Sequence, residues 1–155
     1  MNETSSPYII NFSVRGVLES RYKVVIKTST NHTIVSDEPP EFDGEGLGPN
    51  PIELFLASIA ACTAITLKLH ARRRGIEINR IEVEVKGSFD LRGFLKIPGV
   101  EPGLKNIDVN VKIYGNNKEE LDELMNIVKE TFIVGTSVIR GTPINMKHEV
   151  IVVGR

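Results

Sequence analysis

The chain has 155 residues, 41% of them hydrophobic, and a formal net charge of -1 at pH 7. That length supports one domain with a real core, and a nearly balanced charge gives no reason to expect a nucleic-acid or membrane partner. The single cysteine excludes an internal disulfide and any thiolate-rich metal centre. The opening MNETSSPY lacks the basic start and apolar run of a signal peptide, so a reducing, cytoplasmic location is expected.

Taken in order, Tyr8 to Arg15, Arg21 to Lys27 and Thr33 to Ser36 are rich in β-branched and aromatic residues and read as three strands. Gly16 is the expected turn between the first two, and Ser29, Thr30 and Asn31 the turn between the second and third. The stretch from Asp37 to Asn50, DEPPEFDGEGLGPN, has too many prolines and glycines for regular structure and reads as a mobile acidic loop. Gly44 to Gly48 precedes a helix but lacks the lysine of a phosphate loop, so it reads as a hinge or lid.

A helix then starts at Asn50-Pro51, with a capping asparagine and a proline in the first turn. It ends at Arg72, Arg73 and Arg74, whose charges suit the negative end of the helix dipole, followed by Gly75. No charged residue lies between Glu53 and Lys68. Apolar and small side chains run round the whole circumference, which predicts a helix buried on every side. Its apolar run is shorter than the roughly 20 residues of a membrane span, so a central helix in a soluble core is expected.

Beyond it, Arg80 to Phe89 and Ile107 to Tyr114 alternate apolar and polar residues, as half-buried strands do. Leu91 to Gly103 reads as an excursion or hairpin tip. Asn117 caps a second helix with Glu120 in capping-box position. In that helix Leu121, Leu124, Met125, Val128 and Phe132 form one apolar stripe. Gly135 is expected to end it, Ser137 to Arg140 to add a turn, and Pro143 to Val153 to supply a last strand. The order βββ–α–ββ–α–β predicts an α+β fold, mostly antiparallel sheet with both helices packed on it, as a single domain over 1–155.

Cys62 sits in the middle of the central helix and reads either as a small apolar residue or as a nucleophile. Ser58 and Thr66 lie one turn either side, where their hydroxyls could bond a thiolate. A reactive cysteine needs a positive group nearby, and none lies within one helical turn in sequence. His70, eight residues along the same helix, is roughly 12 Å away and too far for a proton relay. His32, His70 and His148 have no ligand spacing, so no metal or cofactor is called for.

Asn50-Pro51-Ile52-Glu53-Leu54, then Ala60-Ala61-Cys62, then a helix ending in basic residues, resembles the signature of the OsmC/Ohr family of thiol-dependent hydroperoxide reductases. The likeness runs through nearly the whole chain. It implies an intertwined homodimer with two sites at the subunit interface, and Cys62 as the peroxidatic cysteine. It implies a hydroperoxide substrate and a catalytic arginine from the N-terminal strands. Judged from its distance to the third strand, Arg21 suits that place best, with Arg15 as competitor; a guanidinium stays charged and can bind a peroxide oxygen. Two departures stand out. The family's second cysteine would fall near Phe132, so an external thiol reductant is required here. The glutamate that holds the arginine in the hydroperoxidase members follows the proline directly, whereas here Ile52 does and Glu53 comes next. That step rotates a helical side chain by about 100°. Glu53 is thus a candidate for catalysis and equally a residue favouring the helix dipole. The resemblance is to the broader OsmC-like branch, and it leaves a second function open: a non-catalytic protein binding an apolar, acyl or thiol-bearing molecule at the dimer interface.

Overall fold

The computed structural model describes residues 6–151, which fall into two compact units divided between Ala57 and Ser58. The first unit is built on a three-stranded antiparallel sheet in the order β1 (Val14–Ser20), β2 (Lys23–Thr28), β3 (Thr33–Ser36). The β2–β3 turn lies where expected, with Asn31 in a left-handed conformation. The β1–β2 turn does not. Gly16 lies inside β1 opposite Ile26, and the chain reverses at Arg21-Tyr22, between the paired Ser20 and Lys23. A Cβ at Gly16 would come within 3.2 Å of Val24, so this glycine serves close cross-strand packing, not a turn. Tyr8 to Ser13 forms no strand despite its composition; it has no neighbouring strand to pair with, and Tyr8, Ile10 and Phe12 are exposed.

The loop after β3 is tied down, contrary to the mobile segment expected. Asp37 is buried; its Oδ1 accepts the Glu38 N–H at 2.9 Å, and its Oδ2 accepts those of Glu45 at 3.1 Å and Leu47 at 3.2 Å. Ser36 Oγ donates to the Pro49 carbonyl at 2.9 Å. Pro40–Phe42 makes a 3-10 turn closed by Asp43 in the left-handed region. Side chains at Gly44 and Gly48 would strike backbone carbonyls at 1.7 and 2.2 Å, so these glycines permit close approach and do not mark a hinge. One buried carboxylate collecting three backbone donors supplies what no ladder could in a proline-rich segment.

Helix α1 (Pro51–Arg74) begins within the first unit and ends within the second. It stops in a Schellman arrangement: Ile76 N–H bonds to the Ala71 carbonyl, Gly75 N–H to that of Arg72, and Gly75 has φ +70°. The helix was expected to be buried on all sides. Within this chain it buries one stripe, Ile59, Thr63, Leu67 and Ala71, while Ile65 is 67% exposed. The Thr63 hydroxyl is satisfied by the Ile59 carbonyl at 2.8 Å. The expectation of insufficient length also fails. At 24 residues, α1 is long and apolar enough to cross a membrane by length and composition, although Leu67 and Ala71 sit in a protein core.

In the second unit β4 (Ile78–Phe89) and β5 (Leu104–Gly115) form a long antiparallel hairpin. The excursion between them contains a short helix, α2 (Leu91–Phe94), capped by the Asp90 carboxylate. Helix α3 (Lys118–Thr131) is capped by Asn117, whose side chain accepts the N–H groups of Glu119 and Glu120. Its stripe is buried as its periodicity predicts: Leu121, Leu124 and Val128 join Leu67, Ala71 and Ile78 in the core, with Met125, Phe132, Ile81, Val111 and Ile113 packed around them. The helix breaks at Phe132, not Gly135, and α4 (Ile133–Ile139) follows at once. Gly135 lies within α4, where a Cβ would clash with the Phe132 ring at 1.8 Å, so its role is to admit that ring. The expected last strand does not form over 143–151: among the described residues no strand is hydrogen-bonded to it. There Ile144 and Met146 are 88% and 89% exposed. Val152 and Val153 lie outside the described residues.

Candidate active site around Cys62

Cys62 lies in α1 next to buried Thr63 and is itself half-buried. A step of one residue turns it about 100° off the buried stripe, so the sulfur borders the core without being sealed in it. Its Sγ is 3.9 Å from Thr66 Oγ1, one turn on. A hydroxyl there can donate to a thiolate, as the sequence anticipates. Ser58 lies one turn earlier on the same helix.

Arg21 occupies the first position of the two-residue β1–β2 turn with φ +37°. Tight hairpins favour glycine, asparagine or aspartate where φ is positive. A long side chain held there carries strain of about 1–3 kcal/mol, and such strain concentrates at functional sites. Its Nη1 lies 3.5 Å from Asp43 Oδ1, and both side chains are well exposed, 61% and 80%. Arg15, the competitor, is the second residue of β1, opposite Lys27. The turn position of Arg21 was not legible because the glycine signal pointed to residue 16.

Glu53 has a defined structural task. Its Oε2 accepts the Asn50 N–H at 2.9 Å, while its own N–H donates to Asn50 Oδ1 at 2.8 Å. This is a reciprocal capping box at the start of α1. At the other end, Arg74 pairs with Glu123 of α3 at 3.1 Å. His70 bonds through Nε2 to Thr131 Oγ1 at 3.0 Å, and the Thr131 hydroxyl donates to the Ile127 carbonyl at 2.7 Å. His70 Nε2 is therefore the donor, and it ties α1 to the end of α3. Among the described residues, no group of three His, Cys, Asp or Glu side chains could hold a metal ion.

Sequence reasoning missed an open cleft of about 290 Å³ at the α3–α4 elbow, lined by Glu130, Thr131, Thr136, Ser137, Arg140 and their neighbours. Its hydroxyl residues are scattered along two helices and a loop, which gives no linear signal. Cys62 does not line it.

Comparison with known proteins supplies the context. The profile of a family described as OsmC-like protein matches residues 44–147. A hydroperoxide reductase of Mycoplasma genitalium is 27% identical over 106 residues, which cover 66% of this chain and 69% of that protein. An uncharacterised protein of Bacillus subtilis, YmaD, is 41% identical over 49 residues, 32% of this chain; the match spans only 33% of that relative's length. The crystal structure of an OsmC-like protein from Mycoplasma pneumoniae superimposes with a TM-score of 0.72 at 22% identity, covering 86% of this chain and 89% of that one.

Proposed function

This chain belongs to the OsmC-like family, and on that premise we propose that it is a thiol-dependent hydroperoxide reductase working through one peroxidatic cysteine, Cys62. The thiolate attacks the outer oxygen of an organic hydroperoxide. The O–O bond breaks, the alkoxide leaves as the alcohol after taking a proton, and Cys62 becomes a sulfenic acid. With one cysteine in the sequence, the cycle closes through an external thiol. That thiol condenses with the sulfenic acid, releasing water and leaving a mixed disulfide. A second thiol then frees Cys62 and departs as the oxidised disulfide. Arg21 supplies the positive charge that favours the thiolate and receives the peroxide. Glu53, with Oε2 held in the helix cap, orients that guanidinium through Oε1.

The observation that carries this reading is the placement of the lone cysteine. It lies inside the stretch matched by the family, half-buried, beside a hydroxyl donor. Two copies form the working unit. Support comes from the open side of α1 and the exposed apolar segment around Ile144 and Met146, surface that a soluble chain covers by association. A free, working thiol suits the cytoplasm.

A second reading is a binding protein that takes an apolar or thiol-bearing molecule without turnover. It is favoured by the engagement of both helpers, Arg21 with Asp43 and Glu53 with Asn50. One experiment separates the two. The protein is mixed with cumene hydroperoxide, and Cys62 is followed by mass spectrometry against a urea-unfolded control. Stoichiometric sulfenic acid, formed at least about a hundredfold faster in the folded protein, is expected; that factor corresponds to about 2.7 kcal/mol of barrier lowering. Oxidation no faster than in the unfolded chain leaves only the binding reading.

A further inference from the structure

The break between α3 and α4 builds a cleft that the chemistry of Cys62 does not use. Phe132 leaves the helical region with ψ 101°, and α4 starts afresh at Ile133. On α4, Ile133, Thr136, Ser137 and Arg140 recur at helical spacing and so share one face. That face, the end of α3 at Glu130 and Thr131, and Thr142 together wall the open cleft of about 290 Å³. All of these residues belong to the second compact unit.

The polar groups of the cleft are unevenly engaged. The Thr131 hydroxyl donates to the Ile127 carbonyl at 2.7 Å, that of Ser137 to Ile133 at 2.8 Å, and that of Thr142 to Ser137 at 3.1 Å. A hydroxyl has one hydrogen, so towards a ligand these three can only accept. Among the described residues neither Glu130 nor Arg140 has an ion pair or a side-chain hydrogen bond, although both line the cleft. Arg140 suits the C-terminal end of α4, but Glu130 stands in the last turn of α3, where the helix dipole disfavours a carboxylate. Thr136 Oγ1 is shut from solvent and has no hydrogen-bond partner, a state that folded proteins seldom leave unanswered.

We infer that the elbow binds a small zwitterion, an α-amino acid or a dipeptide with free ends. Glu130, Ser137 and Thr142 hold its ammonium group, and Arg140 holds its carboxylate. The balance of donors and acceptors decides the class. A carboxylate and acceptor-only hydroxyls call for a group with several N–H donors, which an ammonium supplies and a phosphate or fatty acid does not. The guanidinium calls for a planar anion, which a simple amine or a metal cation lacks. Threonine in a helix has two accessible χ1 states, so the Thr136 hydroxyl can turn to the ligand and gain the partner it lacks. Cys62 does not line the cleft, and the inference stands whether or not that thiol reduces peroxides.

The test is an NMR titration of isotope-labelled full-length protein with glycyl-L-leucine, N-acetylglycyl-L-leucine and glycyl-L-leucinamide, at about 10 mM salt, where exposed charges are least screened. The free dipeptide is expected to shift the backbone amides of Thr131, Ser137, Arg140 and Thr142 and to saturate with a Kd below about 10 mM, in the weak range of small ligands. Each blocked dipeptide lacks one charged end and should bind at least about tenfold more weakly. Arg140→Ala should bring the free dipeptide down to the level of the leucinamide and leave the leucinamide unchanged. Glu130→Gln should do the same with respect to the acetylated form. Thr136→Val keeps the side-chain shape and should weaken binding about threefold or more. Its urea midpoint should stay the same or rise, whereas loss of a hydroxyl that served only the fold would lower it. No saturation by about 50 mM, equal binding of the three dipeptides, or wild-type binding in Glu130→Gln and Arg140→Ala overturns the site. Wild-type binding in Thr136→Val overturns the part given to that hydroxyl.

Discussion

Helices α1 and α3 share a core but obey their sequences differently. In α3 the apolar stripe and the buried stripe coincide: Leu121, Leu124 and Val128 face inward, while Lys118, Glu119, Asp122, Glu123 and Lys129 are exposed. In α1 nearly every position is apolar or small, yet only Ile59, Thr63, Leu67 and Ala71 are buried by the chain itself. An amphipathic helix needs one neighbour, and α3 has it. A helix apolar all round needs neighbours all round, and within one chain α1 has too few. On the dimer proposed above, that open surface is where a second copy packs, and it lies on the helix that carries Cys62.

The comparison can be broken most forcefully in the shared core. Leu67→Ala in α1 and Leu124→Ala in α3 each empty a fully buried site and should cost about 2–5 kcal/mol, read from urea unfolding. A cost below 1 kcal/mol at Leu67 would mean that α1 is not seated as described. The open face gives a sharper contrast. Ile65→Asp should leave secondary structure intact but raise the dimer dissociation constant at least about thirtyfold, or 2 kcal/mol. Lys129→Asp on the charged face of α3 should change it by less than about 0.5 kcal/mol. Equal effects of the two would remove the distinction between the helices.

The smallest effect expected lies outside both helices, at the cap of α2. Arg92 bonds the Asp90 carboxylate through its side chain and its backbone N–H, lowering the Asp90 pKa from 3.8 to about 2. A depressed acid contributes stability above its unfolded pKa and loses it as pH falls through the folded one. The difference between wild type and Asp90→Asn should therefore be full above about pH 4 and shrink as pH drops towards 2. A difference constant from pH 6 to 2 would contradict it. Denaturant melts at stepped pH provide the check.

Where local chemistry and tertiary packing agree, the sequence is legible. The capped start and glycine stop of α1, the strands β3, β4 and β5, and the stripe of α3 all follow from patterning. Misreadings arise where a residue serves contact instead of conformation. Gly16 looks like a turn but makes room for Val24; Gly44 and Gly48 look like a hinge but let two backbones touch. The hairpin tip at Arg21 has no turn signal, because its strain is imposed by the surrounding sheet. The segment 143–151 has the composition of a strand, yet none of the described strands pairs with it. Composition can specify that a surface must be covered, but not by which molecule. Within the site, the cysteine and its Thr66 neighbour follow from helical spacing alone. The cap on Glu53 and the ion pair of Arg21 require the folded loop, since Asp43 reaches Arg21 across 22 positions.

The most direct measurement is sedimentation equilibrium of the wild-type protein at about micromolar concentration, the range in which a specific interface of standard size holds. The account predicts the mass of two chains, with Ile65 protected from solvent. A single chain of 17.2 kDa at that concentration, still folded and with α1 open to water, would contradict it.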